Sequence, residues 1–206
     1  TAAEAEVLES ERKNSRFLPQ APFPASLRVT ADARKAVSSA GVVILAVPSD
    51  RLRQNVKGIK DFLSDGTTVV SATKGLELPS ASRMSQVLAD ELPIRFHSSI
   101  CSLSGPNLAK EIIQGKPTST VVAGKDIETT ERVQSLLMSD RFRVYTSSDL
   151  LGVELAGTLK NIVALGAGIG DGLGVGDNAK AAFVTRGLAE ITRLGVAAGA
   201  DPLTFA

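Results

Sequence analysis

Lys160 is the single cation in an apolar, small-residue helical pattern, Gly152-Val-Glu-Leu-Ala-Gly-Thr-Leu-Lys160-Asn-Ile-Val-Ala-Leu-Gly-Ala-Gly168. A lysine among Leu, Ile, Val, Ala and Gly has few places to keep its charge solvated. Burial disfavours the ammonium form and pulls its pKa toward the range useful for proton transfer. Lys160 is therefore a candidate general acid/base. The alternative is a lysine on the wet edge of the helix, its stem on apolar surface and its head in water.

Three other segments carry chemistry-bearing types at places where strands give way to loops. Val47-Pro48-Ser49 could press against a dinucleotide or be an ordinary strand–helix turn. In Ala72-Thr73-Lys74-Gly75-Leu76-Glu77, Lys74 could reach a phosphate or a substrate oxygen while Gly75 lets the backbone bend away. A solvated loop lysine would look the same. In Ser104-Gly105-Pro106-Asn107-Leu108-Ala109, Gly105 permits close backbone approach. Pro106 is placed to open a helix whose free N–H groups would form an anion site, or simply a helix.

The elements that must hold these segments alternate. Thr1 to Lys13 reads as a helix and Asn14 to Pro24 as a loop. A short helix follows over Asp32 to Ser38, capped by Asp32 or Thr30. Gly41 to Val47 is a β-branched run with the look of a strand buried on both faces. Leu52, Val56 and Ile59 then recur at helical spacing. Strands are expected at Thr67–Ala72, Ser99–Leu103, Thr118–Ala123 and Phe142–Tyr145. Helices are expected at Pro79–Glu91, Pro106–Gln114 and Ile127–Met138. Such alternation predicts a parallel or mostly parallel sheet with helices on both faces, and ligands there sit at the carboxyl ends of the strands. After Ser147 strand signals stop. Two long helical patterns, Leu150 to about Gly168 and Asn178 to about Ala198, flank the glycine-rich stretch Gly170 to Asp177. A domain boundary is placed near Ser147.

Composition narrows the function. The 206 residues carry a net charge of +1, with 4% aromatics and no Trp, so neither polyanion attraction nor base stacking favours a nucleic-acid partner. The lone Cys101 reads as a buried small hydrophobe and the lone His97 as a solvated or strand-edge residue; no cluster for a metal is seen. The apolar stretch from Leu150 to Ile169 is broken by Glu154, Lys160 and Asn161, which makes it a poor membrane span. No signal peptide is visible, and the expected location is cytoplasmic.

Taken together, the segments resemble the bacterial-type NAD(P)-dependent glycerol-3-phosphate dehydrogenases. The matching stretches are Ile44-Leu-Ala-Val-Pro-Ser49, Ser71-Ala-Thr-Lys-Gly-Leu-Glu77, Ser104-Gly-Pro106, Gly152 to Asn161, Gly176-Asp-Asn-Ala-Lys-Ala-Ala182 and Thr185-Arg-Gly-Leu-Ala-Glu190. The resemblance implies an α/β chain: an incomplete Rossmann-type doubly wound sheet, residues 1–147, followed by the start of an all-α domain, residues 148–206, with the active site between them. It implies interconversion of sn-glycerol 3-phosphate and dihydroxyacetone phosphate by hydride transfer with NAD or NADP, feeding phospholipid synthesis. Lys160 would be the catalytic acid/base. Lys74, Gly105 and Asn161 would meet the substrate, and Pro48, Lys74, Gly105, Asn107 and Ala109 the cofactor. A homodimer is the family tendency.

The sequence departs from that pattern in places. A phosphate-cradling G-x-G-x-x-G with its strand is not seen, nor are the family's later Gly-Asp and Ser-Arg-Asn segments, and residue 107 is Asn where Ser or Thr is usual. The chain does not begin with Met and reads as a fragment. The expectation is that these 206 residues alone are poorly stable and inactive. The competing readings are a related Rossmann dehydrogenase of a hydroxy acid or sugar nucleotide, and a non-catalytic remnant of a dinucleotide fold.

Overall fold

A computed structural model of the protein describes residues 1–205. In chain order the elements are α1 (Ala2–Glu11), β1 (Lys13–Asn14), β2 (Leu18–Pro22), α2 (Ala33–Val37), β3 (Val42–Leu45), α3 (Leu52–Ile59), β4 (Thr68–Ser71), β5 (Leu76–Glu77), β6 (Ser82–Arg83), α4 (Met84–Glu91), β7 (Ile100–Ser104), α5 (Ala109–Ile113), β8 (Thr118–Gly124), α6 (Ile127–Leu137), β9 (Phe142–Ser147), α7 (Leu150–Leu173) and α8 (Asp177–Ala197).

The main sheet has the order β3-β4-β7-β8-β9. β3, β4 and β7 run parallel, β8 turns antiparallel to β7, and β9 is parallel to β8. The sheet is mixed, in keeping with the mostly parallel expectation. All four residues of β4 are buried, as a central parallel strand requires. β3 differs from expectation. It is shorter than the run Gly41–Val47, and it forms a sheet edge that leaves Ile44 exposed. One core cluster joins Leu52 and Val56 of α3, Val69 of β4 and Met84, Val87 and Leu88 of α4. A second gathers Val70, Cys101, Val122, Val133 and Val144 on the other face. The helical spacing in the sequence thus marks the faces that pack.

Several local expectations are corrected. The stretch after α1 is a small antiparallel hairpin, β1–β2, rather than a loop; its prolines fit an edge strand, where no ladder donor is needed. The helix foreseen from Pro79 starts at Met84, because β6 precedes it and Gln86 turns back to accept the Arg83 N–H (2.9 Å). The helix foreseen from Pro106 starts at Ala109 and is five residues long. The Asn107 N–H turns back to Gly105 O (3.0 Å), so it is not one of the free helix-start donors foreseen after Pro106. α7 runs through the expected glycine-rich loop to Leu173 and stops where Gly174 takes φ +67°.

α7 starts from an Asp149 cap, whose carboxylate accepts the Gly152 N–H (2.9 Å). The same carboxylate accepts from Asp201 N (2.9 Å) and the Thr204 hydroxyl (2.7 Å), which ties the far end of the helix pair to the start of α7. Burial pushes this carboxyl up, but the bonds from Thr204, Gly152 and Asp201 hold it below the usual range. α7 is long and apolar enough by length and composition to cross a membrane. Its first half is nonetheless docked on the sheet, with Leu150 and Val153 packed on Ala123.

Candidate active site at the strand ends

Because β3, β4 and β7 are parallel, their carboxyl ends share one side of the sheet, and each runs into one of the three segments above. The Thr73 hydroxyl joins two of them. It donates to Val47 O (2.8 Å) and accepts the Val47 N–H (3.3 Å). The bend beyond it needs Gly75, whose φ is +110° and whose missing Cβ leaves room for Ser49. This bend fixes the stem from which Lys74 projects.

Gly105 closes the third segment. A Cβ there would lie 2.9 Å from Ser119 O and from Thr120 Cα, so only glycine lets the chain turn against β8. Thr120 donates its hydroxyl to Ser104 O (3.0 Å), which pins the turn from the other side. The turn presents the Gly105 carbonyl outward, and α7 supplies the last group. Gly157 lies so close to Ser104 that a side chain would strike its hydroxyl. Lys160, three residues further along α7, reaches the turn.

Both lysines end on the same atom. Lys74 Nζ donates to Gly105 O at 2.8 Å and Lys160 Nζ at 3.0 Å. Two cations that share one acceptor repel, and each is half-buried. Burial first, then the Lys160 charge, pushes the Lys74 ammonium down to about 8. The sequence singled out Lys160 for such a shift; the structure lowers Lys74. Of the two, Lys74 is the one whose proton is loosened, by its burial and by the neighbouring charge.

A groove of about 560 Å3 opens beside the pair. Lys74, Asn107, Lys160 and Asn161 form its polar end, and Val163, Ala164 and Ile191 belong to its apolar wall. A second, smaller groove of about 260 Å3 reaches Gly105 and Lys160 from the other side of the turn. Asn107 donates from Nδ2 to the Thr120 hydroxyl (2.9 Å), while its Oδ1 is buried with no partner. Because the Thr120 proton is committed to Ser104, that oxygen needs a donor from elsewhere. Of the residues singled out in the sequence, Lys74, Gly105, Asn107, Lys160 and Asn161 converge. Pro48 is exposed on the neighbouring loop. Ala109 is exposed at the start of α5 and lines neither groove.

Cys101 is fully buried in β7, and burial pushes its thiol up to about 11, so it is packing rather than a nucleophile. His97 is half-buried in the turn before β7, with Nε2 3.1 Å from Leu92 O.

Sequence reasoning missed one buried charge beside the site. Glu154 of α7 accepts from Arg83 (2.6 Å), the Ser85 hydroxyl (2.6 Å) and the Ser85 N–H (2.7 Å). The sequence registers Glu154 only as a break in an apolar run. Its partners lie about 70 residues away, so no local spacing could point to them.

The chain matches two family models, the NAD-dependent glycerol-3-phosphate dehydrogenase N-terminus over residues 1–130 and the C-terminus of the same family over residues 149–206. It is 50% identical over 206 residues to a glycerol-3-phosphate dehydrogenase [NAD(P)+] of Dehalococcoides mccartyi, which covers all of this chain and 57% of that protein. It is 47% identical over 200 residues to the enzyme of that name from Chlorobium limicola, covering 97% of this chain and 60% of that one. Among solved structures, the glycerol-3-phosphate dehydrogenase of Coxiella burnetii superposes with a TM-score of 0.90 at 33% identity, over 98% of this chain and 61% of that one. The enzyme of Saccharomyces cerevisiae superposes with a TM-score of 0.83 at 28% identity, over 97% of this chain and 59% of that one. The chain thus spans somewhat more than half the length of the relatives it matches.

Proposed function

Because the chain belongs to the NAD-dependent glycerol-3-phosphate dehydrogenase family, we propose that the protein carrying it interconverts sn-glycerol 3-phosphate and dihydroxyacetone phosphate with NAD or NADP. The observation that carries this reading is the pair of lysines on the Gly105 carbonyl at the strand ends.

The reaction moves a hydride and a proton in opposite directions across one C–O bond. The nicotinamide cofactor, when bound, supplies or takes the hydride at C2. The protein must handle the proton and the charge that builds on oxygen. Lys160, as the free amine, takes the hydroxyl proton of glycerol 3-phosphate; as ammonium, it returns that proton to the ketone oxygen. Lys74 stands beside it as the cation that stabilises the developing alkoxide. Their shared carbonyl holds both side chains extended and aimed, so little ordering remains when substrate arrives. Asn161 lies at the polar end of the groove with the two lysines, suited to a substrate hydroxyl.

The groove suits the cofactor's reactive end as well. An apolar wall fits a flat ring, and the unpartnered Asn107 Oδ1 suits an amide N–H donor. Pro48, Gly105 and Ala109 are assigned to the same dinucleotide path, on the resemblance. Residues 1–147 are assigned to the NAD(P)-binding domain and 148–206 to the start of the helical catalytic domain. The partner is a small molecule rather than nucleic acid, the assembly a homodimer and the compartment the cytoplasm.

The test is direct. The natural full-length protein should oxidise NADH or NADPH when given dihydroxyacetone phosphate, and not when given a hydroxy-acid precursor or a sugar nucleotide. Turnover with the latter alone would replace this reading with that of a related dehydrogenase.

A further inference from the structure

Glu154 is a buried carboxylate that the proton chemistry above does not use. It sits six residues before Lys160 on α7, with its side chain 6% exposed, and every bond its carboxylate makes is to the start of α4. Arg83 immediately precedes α4, and Ser85 is its second residue. The first N–H groups of a helix need acceptors, and anions are favoured there. Arg83 makes no side-chain cap to this helix, so Glu154 serves as the acceptor from across the domain junction. α7 is therefore held by a charge-assisted clamp onto the start of α4 as well as by packing at Leu150, Val153 and Gly157.

The clamp lies beside Lys74, one of the two lysines. A small cavity of about 10 Å3 is lined by Lys74 and Gly75 together with Glu154, Gly157 and Thr158. Glu154 and Lys160 share a rigid helix, so holding one fixes the rotation and height of the other. A helix that slid or turned slightly would carry Lys160 off the Gly105 carbonyl. Apolar contacts alone specify that register weakly, because they are non-directional. Three short bonds to one carboxylate specify it sharply.

We infer that Glu154 is a positioning residue for the two-lysine site, acting through Arg83 and Ser85 to set the register of α7 so that Lys160 meets Lys74 on the Gly105 carbonyl. The inference rests on the proposed function for its kinetic consequence, but its structural consequence can be read without turnover.

The experiment compares the full-length protein with its Glu154→Gln variant, which keeps the shape and removes the charge. Two quantities are measured: kinetics with dihydroxyacetone phosphate and the reduced cofactor, and the titration of Lys74 by competitive acetic anhydride labelling read by mass spectrometry. The expected result is a kcat lower by about tenfold or more, with the cofactor KM within about twofold. Lys74 should titrate higher, toward the ordinary lysine value, because Lys160 has moved away. Unchanged kcat and unchanged titration would overturn the inference, even if the variant melted at a lower temperature. If Glu154→Gln does not fold, Ser85→Ala and Ser85→Thr decide. Loss of the hydroxyl should raise the Lys74 titration and lower kcat, and Thr should restore both; equal behaviour of the two variants would overturn it. A wild-type protein without turnover would refute the proposed function, while the labelling result would still judge the clamp.

Discussion

The two halves of α7 are made of similar residues and live in different surroundings. From Leu150 to Lys160 the helix lies on the sheet, with Leu150, Gly152, Val153, Glu154 and Gly157 buried. From Asn161 to Leu173 it runs past the strand ends, and Leu165 is 68% and Leu173 75% exposed. The docked half is fixed by small residues that allow close approach and by a few directional polar bonds. The outer half has its fixings on α8 instead, with Gly166 close against Phe183 and Asp171 accepting from Lys180 (2.9 Å), and none on the sheet. What separates the halves is whether the sheet offers backbone and side-chain partners opposite them, and Lys160 stands where those partners end. Chemistry placed at that boundary has rigid support on one side and open space for a ligand on the other.

The strongest way to break this comparison is to remove the boundary residue. Lys160→Ala in the full-length protein should cut kcat by about 10²-fold to 10⁴-fold, the range for loss of a general acid/base, and leave cofactor affinity nearly intact. Steady-state kinetics and cofactor titration check it; near-wild-type turnover would take Lys160 out of the mechanism. Gly105→Ala attacks the same boundary from the sheet side. The new methyl must displace Ser119 or Thr120 backbone, so a stability loss of about 1–3 kcal/mol is expected. The carbonyl that aligns both lysines would move with it, so kcat should fall beyond what the lost stability explains. Denaturant melts and kinetics on the same preparation separate the two effects.

Lys74 sharpens the electrostatic side of the comparison. Its folded-state pKa is below its unfolded value because of burial and the Lys160 charge. Below about pH 8 it is charged in both states and the folded protein bears the full penalty. Between about pH 8 and the ordinary lysine value near 10.4 the unfolded chain binds more protons, so the penalty fades as pH rises. Lys74→Met should therefore melt higher than the wild type at pH 7, by a margin that shrinks as pH climbs past 8 toward 10. A margin that does not depend on pH would mean the gain came from packing. The same variant should weaken substrate binding and turnover together.

Much of the main sheet was legible in the sequence because β3, β4 and β8 carry β-branched runs, and because Leu52, Val56, Val87 and Leu88 recur at helical spacing on faces that are in fact buried. The strand-end segments were legible for the same reason: the topology rule needs only the order of elements. Helix starts were read less well. Pro79 and Pro106 carry the composition of a first helical turn, yet the helices start later, at Met84 and Ala109, after local turns closed by Gln86 on the Arg83 N–H and by Gly105 O on the Asn107 N–H. The direction of β8 was beyond reach, because a short connection through α5 allows either sense of return. In the site, the lysines could be named from their segments. Their convergence on one carbonyl, and the Glu154 clamp, depend on pairs 31 to 71 residues apart, which no local pattern encodes.

The smallest effect belongs to the outer half of α7. In the 206-residue chain, Leu165→Ser changes a side chain that is already mostly in water, so denaturant melts should place it within about 0.5 kcal/mol of the parent. Val153→Ala, twelve residues earlier on the same helix, removes two buried carbons from the contact with Ala123 and should cost about 2 kcal/mol. The pair of variants isolates position along the helix from composition. Equal costs would mean that α7 is held by its intrinsic helicity alone, and that the sheet does not set its register. Unequal costs in the 206-residue chain that become equal in the full-length protein would mean that the outer half acquires a further packed neighbour there, beyond α8. Lys160 would then be supported from both sides, and the groove beside Asn161 would be a closed pocket.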